Sequence, residues 1–141
     1  MSSDAAWPEL AGALIGRWRV RRVVRDFSGS ASCVFSGNAL LTEDGFSEEG
    51  EIRMGGRALP ASRIYRLEAG ERSVLVFRGN DLFIRLGEQP SQIVHHGCGA
   101  DSYVGRFFFR SRDEWIEAWR VKGPRKNYAS IGRFHRLRQP G

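Results

Sequence analysis

Gly16-Arg17-Trp18-Arg19-Val20-Arg21-Arg22-Val23-Val24-Arg25-Asp26-Phe27 is the stretch on which the fold turns. Trp18, Val20, Arg22 and Val24 share one parity, and Arg17, Arg19, Arg21 and Arg25 dominate the other. Successive side chains of a strand point to opposite faces, so this reads as a half-buried strand with its charged face in water. Arg22 breaks the apolar parity. An inward arginine is too costly unless paired, so it needs a carboxylate from Asp26, Glu51 or a ligand.

The same alternation continues downstream. Ser28-Gly29-Ser30 turns the chain into a second strand over 31–41, and Asp44-Gly45 is a hairpin signal leading to a third over 47–54. Glu49, Glu51 and Arg53 share one face of that third strand. Gly55-Gly56 and Pro60 bound the next loop, and further strands follow over 62–68, 73–78, 82–86, 92–96 and 103–110. Residues 114–122 carry a Trp115–Trp119 spacing that a helix would also show. The alternation of Trp115, Glu117, Trp119 and Val121 favours a strand. A last strand spans 127–137, and Gln139-Pro140-Gly141 is a frayed tail.

Upstream, residues 7–15 form a short helix, with Pro8 at its first position, Glu9 at its positive end and Gly16 to stop it. About ten short strands joined by tight turns make an antiparallel meander, and closure removes edges that would otherwise aggregate. The expected fold is all-β: a single antiparallel up-and-down barrel of about 8–10 strands with a short N-terminal helix, covering 1–141 as one domain. Such a barrel has room for one small ligand.

At 141 residues the chain is long enough to bury a core without staples. No run approaches the roughly 18 apolar residues of a membrane helix. Met1-Ser2-Ser3-Asp4-Ala5-Ala6 lacks the flank of a secretory signal, so Cys33 and Cys98 read as reduced thiols in a cytoplasmic protein. The net charge is +6, and all the basic residues except Lys122 and Lys126 are arginines. They are spread along the strands rather than gathered in a tail. Compositional bias explains them, and inward ones could instead grip a carboxylate or phosphate bidentately.

Chemistry-bearing side chains concentrate in His95-His96-Gly97-Cys98-Gly99-Ala100-Asp101-Ser102-Tyr103. Adjacent His95 and His96 point to opposite faces of a strand, which argues against a metal cluster with Cys98 and Asp101. Cys98 is more readily a structural cysteine than a nucleophile paired with His96. Asp101 reads as a turn aspartate and Tyr103 as a buried tyrosine whose hydroxyl needs a partner. As an alternative, His96, Asp101 and Tyr103 would supply acid–base chemistry to a pocket-bound substrate. Gly123-Pro124-Arg125-Lys126-Asn127-Tyr128 reads as a hairpin turn with solvated cations, or as a mouth where Lys126, above Tyr128, holds an anionic group. Arg22, Arg63, Tyr65, Arg106 and Trp119 complete the candidate ligand contacts.

Gly16-x-Trp18 at the start of the first strand resembles the Gly-x-Trp signature of lipocalins and their calycin relatives. The resemblance implies that Trp18 closes the barrel floor against a basic residue of the last strand, with Arg136 the matching candidate ahead of Arg133 and Arg138. A longer pattern is similar to the uncharacterised DUF6314 family. It comprises Gly16-x-Trp18 with Arg22 and Asp26, then Arg63-x-Tyr65 and His96-x-Cys98-x-x-Asp101-x-Tyr103-x-Gly105. It ends with Trp119-x-Val121-x-Gly123-Pro124-x-Lys126-x-Tyr128. That family carries a Phe-His pair after its middle turn. This chain has Phe83-Ile84, so no role resting on that histidine transfers. The resemblance implies a fold and marked positions, and no activity.

The leading expectation is a barrel that binds a partly apolar, anionic small molecule. Its motive is an aromatic supply (Tyr65, Phe107, Phe109, Trp115, Trp119) beside inward arginines. An enzyme such as a hydrolase, isomerase or cyclase is the alternative, on condition that His96, Asp101 and Tyr103 line one cavity. Nucleic-acid binding through Arg17, Arg19, Arg21 and Arg25 is the lesser alternative. No cofactor, metal or membrane partner is implied.

Overall fold

Alternating strands of this kind must bury one face, and here they do so by wrapping around it. The computed structural model describes residues 9–29 and 31–138, so the expectations for Trp7, Pro8, Ser30 and the 139–141 tail lie outside the described residues. A one-turn helix, α1 (Glu9–Gly12), leads into β1 (Gly16–Asp26), β2 (Ala31–Leu41), β3 (Gly45–Met54), β4 (Arg57–Gly70) and β5 (Ser73–Arg78). β6 (Asp81–Leu86), β7 (Ser91–Cys98), β8 (Asp101–Ser111), β9 (Glu114–Lys122) and β10 (Asn127–Arg136) complete one ten-stranded antiparallel sheet. Its order is β6-β5-β4-β3-β2-β1-β10-β9-β8-β7, so β10 returns to pair with β1.

The barrel is nearly closed. Its seam lies between β6 and β7, which approach without forming a ladder. The Gln92 amide bridges part of that gap: it donates to Gly87 O at 3.1 Å and accepts from Gly87 N at 2.7 Å, as a neighbouring backbone would. All strands are therefore antiparallel up-and-down, as the alternation implies. Pro60 is a correction, because it sits inside β4 opposite Glu51 rather than in a loop. Only the Arg66–Gly70 part of β4 continues into β5, so the half carrying Pro60 has an open side where a missing N–H is tolerated.

Two ends follow from this topology. The helix end carries α1 and the links at 42–44, 71–72, 87–90 and 112–113; the hairpin end carries residues 27–29 and the links at 55–56, 79–80, 99–100 and 123–126. At the helix end Trp18 and Phe134 are wholly buried, Trp115 stacks on Phe134 at 4.3 Å, and Trp18 meets Trp115 edge-on at 4.3 Å. The Trp18 indole donates to Leu14 O at 2.9 Å. Arg136 lies over the Trp18 ring at 4.5 Å and donates to Ile15 O at 3.1 Å and to Arg112 O. These contacts tie the last strand, the first strand and the segment after α1 into one floor. Truncating Trp18 would cost about 3–5 kcal/mol.

Candidate functional site

The inward arginine of β1 has a partner, and it is neither Asp26 nor Glu51. Asp26 accepts from Ser28 N in the turn, and the carboxylate that meets Arg22 is Glu48 on β3. Glu48 sits on the inner parity with Phe46, one residue from the outward Glu49. Its side chain is 1% exposed. Arg22 reaches it through two bonds of 3.0 and 2.7 Å, and Arg63 on β4 through two more of 2.9 and 3.0 Å. Arg63 also donates to the Tyr65 hydroxyl at 3.2 Å and lies 3.7 Å from Glu117 on β9. Glu117 accepts from the indoles of Trp115 and Trp119, each at 3.2 Å. Two cations thus face two carboxylates inside the barrel.

Burial works against every charge in this group, and the pairing overrides it. Desolvation alone would raise the Glu48 carboxyl, but hydrogen bonds from Arg22 and the charge of Arg63 hold it below its ordinary value. Desolvation likewise opposes the charged form of Arg63, yet Glu117, Tyr65 and Glu48 raise its proton affinity. Both shifts favour the charged forms of Glu48 and Arg63.

Above it, toward the helix end, opens a cavity of about 100 Å³. Leu10, Ala11 and Leu14 roof it, and Leu67, Val74, Val76, Ile84 and Leu86 form one wall. All five aromatics expected from the sequence (Tyr65, Phe107, Phe109, Trp115 and Trp119) line it, together with Phe46 and Phe83. Arg63, Tyr65 and Glu117 are its polar side chains, gathered at the inner end. Two local features shape the wall. A bulge in the β5–β6 pairing leaves Phe83 without a partner and turns both Phe83 and Ile84 inward. Gly105 faces Trp119 across β8 and β9, where a Cβ would come within 2.7 Å of the indole.

The other candidates lie elsewhere. Of the expected ligand contacts, Arg63, Tyr65 and Trp119 line the cavity; Arg22, His96, Tyr103, Arg106, Lys126 and Tyr128 do not. Arg22 is spent on Glu48. Arg106 is exposed on the outer face, because Tyr103, Gly105 and Phe107 take the inner parity of β8. His96, Asp101 and Tyr103 sit at the hairpin end, away from the cavity that the acid–base alternative requires. There His96 packs edge-on against Phe83 at 4.8 Å, and Lys126 donates to the Tyr103 hydroxyl at 2.7 Å and pairs with Asp101 at 3.2 Å. His95 is on the outer face and Cys98 is exposed. Among the described residues no three His, Cys, Asp or Glu side chains gather as a metal site would need.

Comparison with known proteins fits this architecture. A family model described as a family of unknown function, DUF6314, matches residues 14–136. No curated protein matches the chain in sequence. Among solved structures, the S-type phycobiliprotein lyase CPES from Guillardia theta superposes with a TM-score of 0.64 at 13% identity, covering 94% of this chain and 93% of that one. A protein of unknown function from the DUF3598 family of Nostoc punctiforme superposes with a TM-score of 0.63 at 12% identity. It covers 96% of this chain, which spans 52% of that longer one. At these identities the likeness is one of fold.

Proposed function

The chain belongs to the DUF6314 family, whose function is unknown, and from its interior we propose that it binds one small, largely apolar molecule in the helix-end cavity. The observation that carries this reading is the distribution of polarity in the cavity wall: aliphatic and aromatic on all sides, with Arg63, Tyr65 and Glu117 at one end. Apolar pockets with a few convergent polar groups are the usual form of a small-molecule site. A dry apolar cavity of roughly 150 Å³ holds a benzene-sized molecule, so a space of about 100 Å³ suits a compact ligand. A longer one would displace α1, whose single turn has little stability of its own.

The head group of this ligand is neutral in our reading, where the sequence alone suggested an anion. Arg22 and Arg63 already have Glu48 and Glu117, so a carboxylate entering here would be an unmatched buried charge. A carbonyl or hydroxyl oxygen can accept from Arg63 without disturbing that balance. The same barrel occurs in a phycobiliprotein lyase, but the likeness reaches the fold and not this wall.

Trp115 and Trp119 line the cavity, so tryptophan emission reports occupancy directly. The test pairs each compact hydrophobe as an alcohol or ketone with its carboxylic-acid counterpart, and follows emission and Tm together. The neutral member should quench and stabilise, by about 2.7 kcal/mol at a hundredfold excess over Kd. If neither member binds, or the acid binds more tightly, the reading is wrong. We also place the protein in a reducing compartment, supported by the free thiols Cys33 and Cys98. Alkylation in freshly lysed cells checks this, since failure of either thiol to react after denaturation would count against it.

A further inference from the structure

The hairpin end holds more hydrogen-bond donors and positive charge than its acceptors can use. Arg78 is the last residue of β5 and continues the inward parity of Val74 and Val76. Its guanidinium lies 4.1 Å from the Phe83 ring centroid and 5.4 Å from that of Tyr103. Lys126, on the hairpin between β9 and β10, approaches the same Tyr103 ring to 5.3 Å. It donates to the Tyr103 hydroxyl at 2.7 Å and pairs with Asp101 at 3.2 Å. His96 lies 5.8 Å from Tyr103 ring to ring. Half-buried Tyr128 stands in one cross-strand row with Val121 and Tyr103.

Counting charges, Arg78 and Lys126 face Asp101. Asp81 is the ladder partner of Arg78 but forms no ion pair with it among the described residues. Arg78 is thus left without a bonded carboxylate among the described residues. Counting donors, the Tyr103 oxygen already accepts from Lys126, which leaves its own proton free to donate. The Tyr128 hydroxyl and the Arg78 guanidinium have no hydrogen-bond acceptor among the described residues. These free donors converge on one mouth of the barrel.

We propose that Arg78, Lys126, Tyr103 and Tyr128 form a binding site for an oxyanion, the phosphate or carboxylate group of a small molecule, at the end opposite the apolar cavity. Arg78 supplies a planar fork suited to two oxygens, and stacking on Phe83 holds it there before any ligand arrives. Phe83 is itself stacked against Tyr65 at 5.9 Å and Trp119 at 5.4 Å, so this platform is part of the core and not a loose surface arginine. Lys126 brings the second charge, and the two hydroxyls complete the donor set. The outward arginines of β1 lack such a frame: they stand in rows on an open sheet face.

The site shares Phe83 with the wall of the apolar cavity, but its test needs no cavity ligand. Backbone amide NMR of the full chain is recorded while inorganic phosphate in one arm, and acetate in the other, replaces chloride at constant ionic strength. Saturable shifts are expected at Gly79, Asn80, Asp101 and the 123–128 hairpin, with 10–14 unmoved. Response to phosphate alone, acetate alone or both tells which group the site takes. Arg78→Gln and Lys126→Gln should each weaken binding roughly tenfold. Because Arg78 is exposed, its variant keeps the fold, and the rest of the spectrum verifies this. Absence of saturable shifts in both arms, shifts centred on the β1 arginines, or unaltered binding by Arg78→Gln would each overturn the proposal.

Discussion

Arg22 and Glu48 meet inside the barrel as a matched fork, Nη1 to Oε1 at 3.0 Å and Nη2 to Oε2 at 2.7 Å. Arg63 takes the same two oxygens from β4, so one carboxylate ties β1, β3 and β4 together. Glu48→Gln strands two inward guanidiniums and should cost about 3–5 kcal/mol in urea unfolding. The pH dependence follows from the sign of the shift. Burial would raise the Glu48 carboxyl, but Arg22 and Arg63 hold it below its ordinary 4.5. A depressed folded value gives stabilisation that is complete above the unfolded value and is lost as pH falls through the folded one. Glu48→Gln should therefore show a flatter loss of stability on acidification below about pH 4.5. Parallel acid limbs for variant and wild type would contradict this assignment.

Ten strands were legible because alternation states both the element and its inner face, residue by residue. The same rule, counted from Tyr103, places Arg106 outside. Glu48 was harder. It stands beside Glu49, and a one-residue difference in register decides which of the two is buried. The parity that Glu48 shares with Phe46 and Ile52 places it inside, but a lone carboxylate on an apolar parity is easily passed over beside the outward row of Glu49, Glu51 and Arg53. That Arg22 needed a carboxylate was readable from β1 alone, but the partner came from two strands away, 26 residues on. The inward turn of Phe83 rests on a bulge, and the apolar run Leu82-Phe83-Ile84 carries no mark of one. Which end of the barrel stays hollow depends on how α1 and the loops fill it, and the alternation of the strands does not state that.

Gly105 tests how the cavity wall is held. Its place opposite Trp119 leaves no room for a methyl group, since a Cβ would stand 2.7 Å from the indole. The indole cannot swing freely, because its N–H is bound to Glu117 at 3.2 Å. Gly105→Ala should cost about 1–3 kcal/mol and shift Trp119 toward the cavity. Tryptophan emission and affinity for the cavity ligand should both change. An alanine variant with wild-type stability and emission would show that the indole has slack the geometry denies.

Gln92 tests the seam. Its side chain replaces ladder bonds between β7 and the end of β6, and it also donates to Gln89 O at 2.7 Å. Gln92→Ala should cost about 1–3 kcal/mol. The loss should be local: amide exchange in β6 and β7 should quicken more than in β1, which is paired on both sides. Uniform acceleration across all ten strands would mean that the seam opens only with global unfolding.

The outer face carries a cost that a single substitution should relieve. Arg21 on β1 and Arg133 on β10 are directly opposite in the ladder, with no ion pair for either among the described residues. Like charges at facing positions destabilise a sheet, and opposite ones stabilise it modestly. Arg133→Glu should therefore raise stability by about 0.5 kcal/mol at low salt, with the gain shrinking as salt is added. The same exchange bears on the polyanion reading of this face. If Arg17, Arg19, Arg21 and Arg25 bind nucleic acid, Arg133→Glu should weaken that binding and lower its salt dependence, because a carboxylate would stand among the phosphate contacts. A protein that gains stability while showing no nucleic-acid binding at low salt, before or after the exchange, would leave these arginines as a solvated surface whose only measurable effect is mutual repulsion.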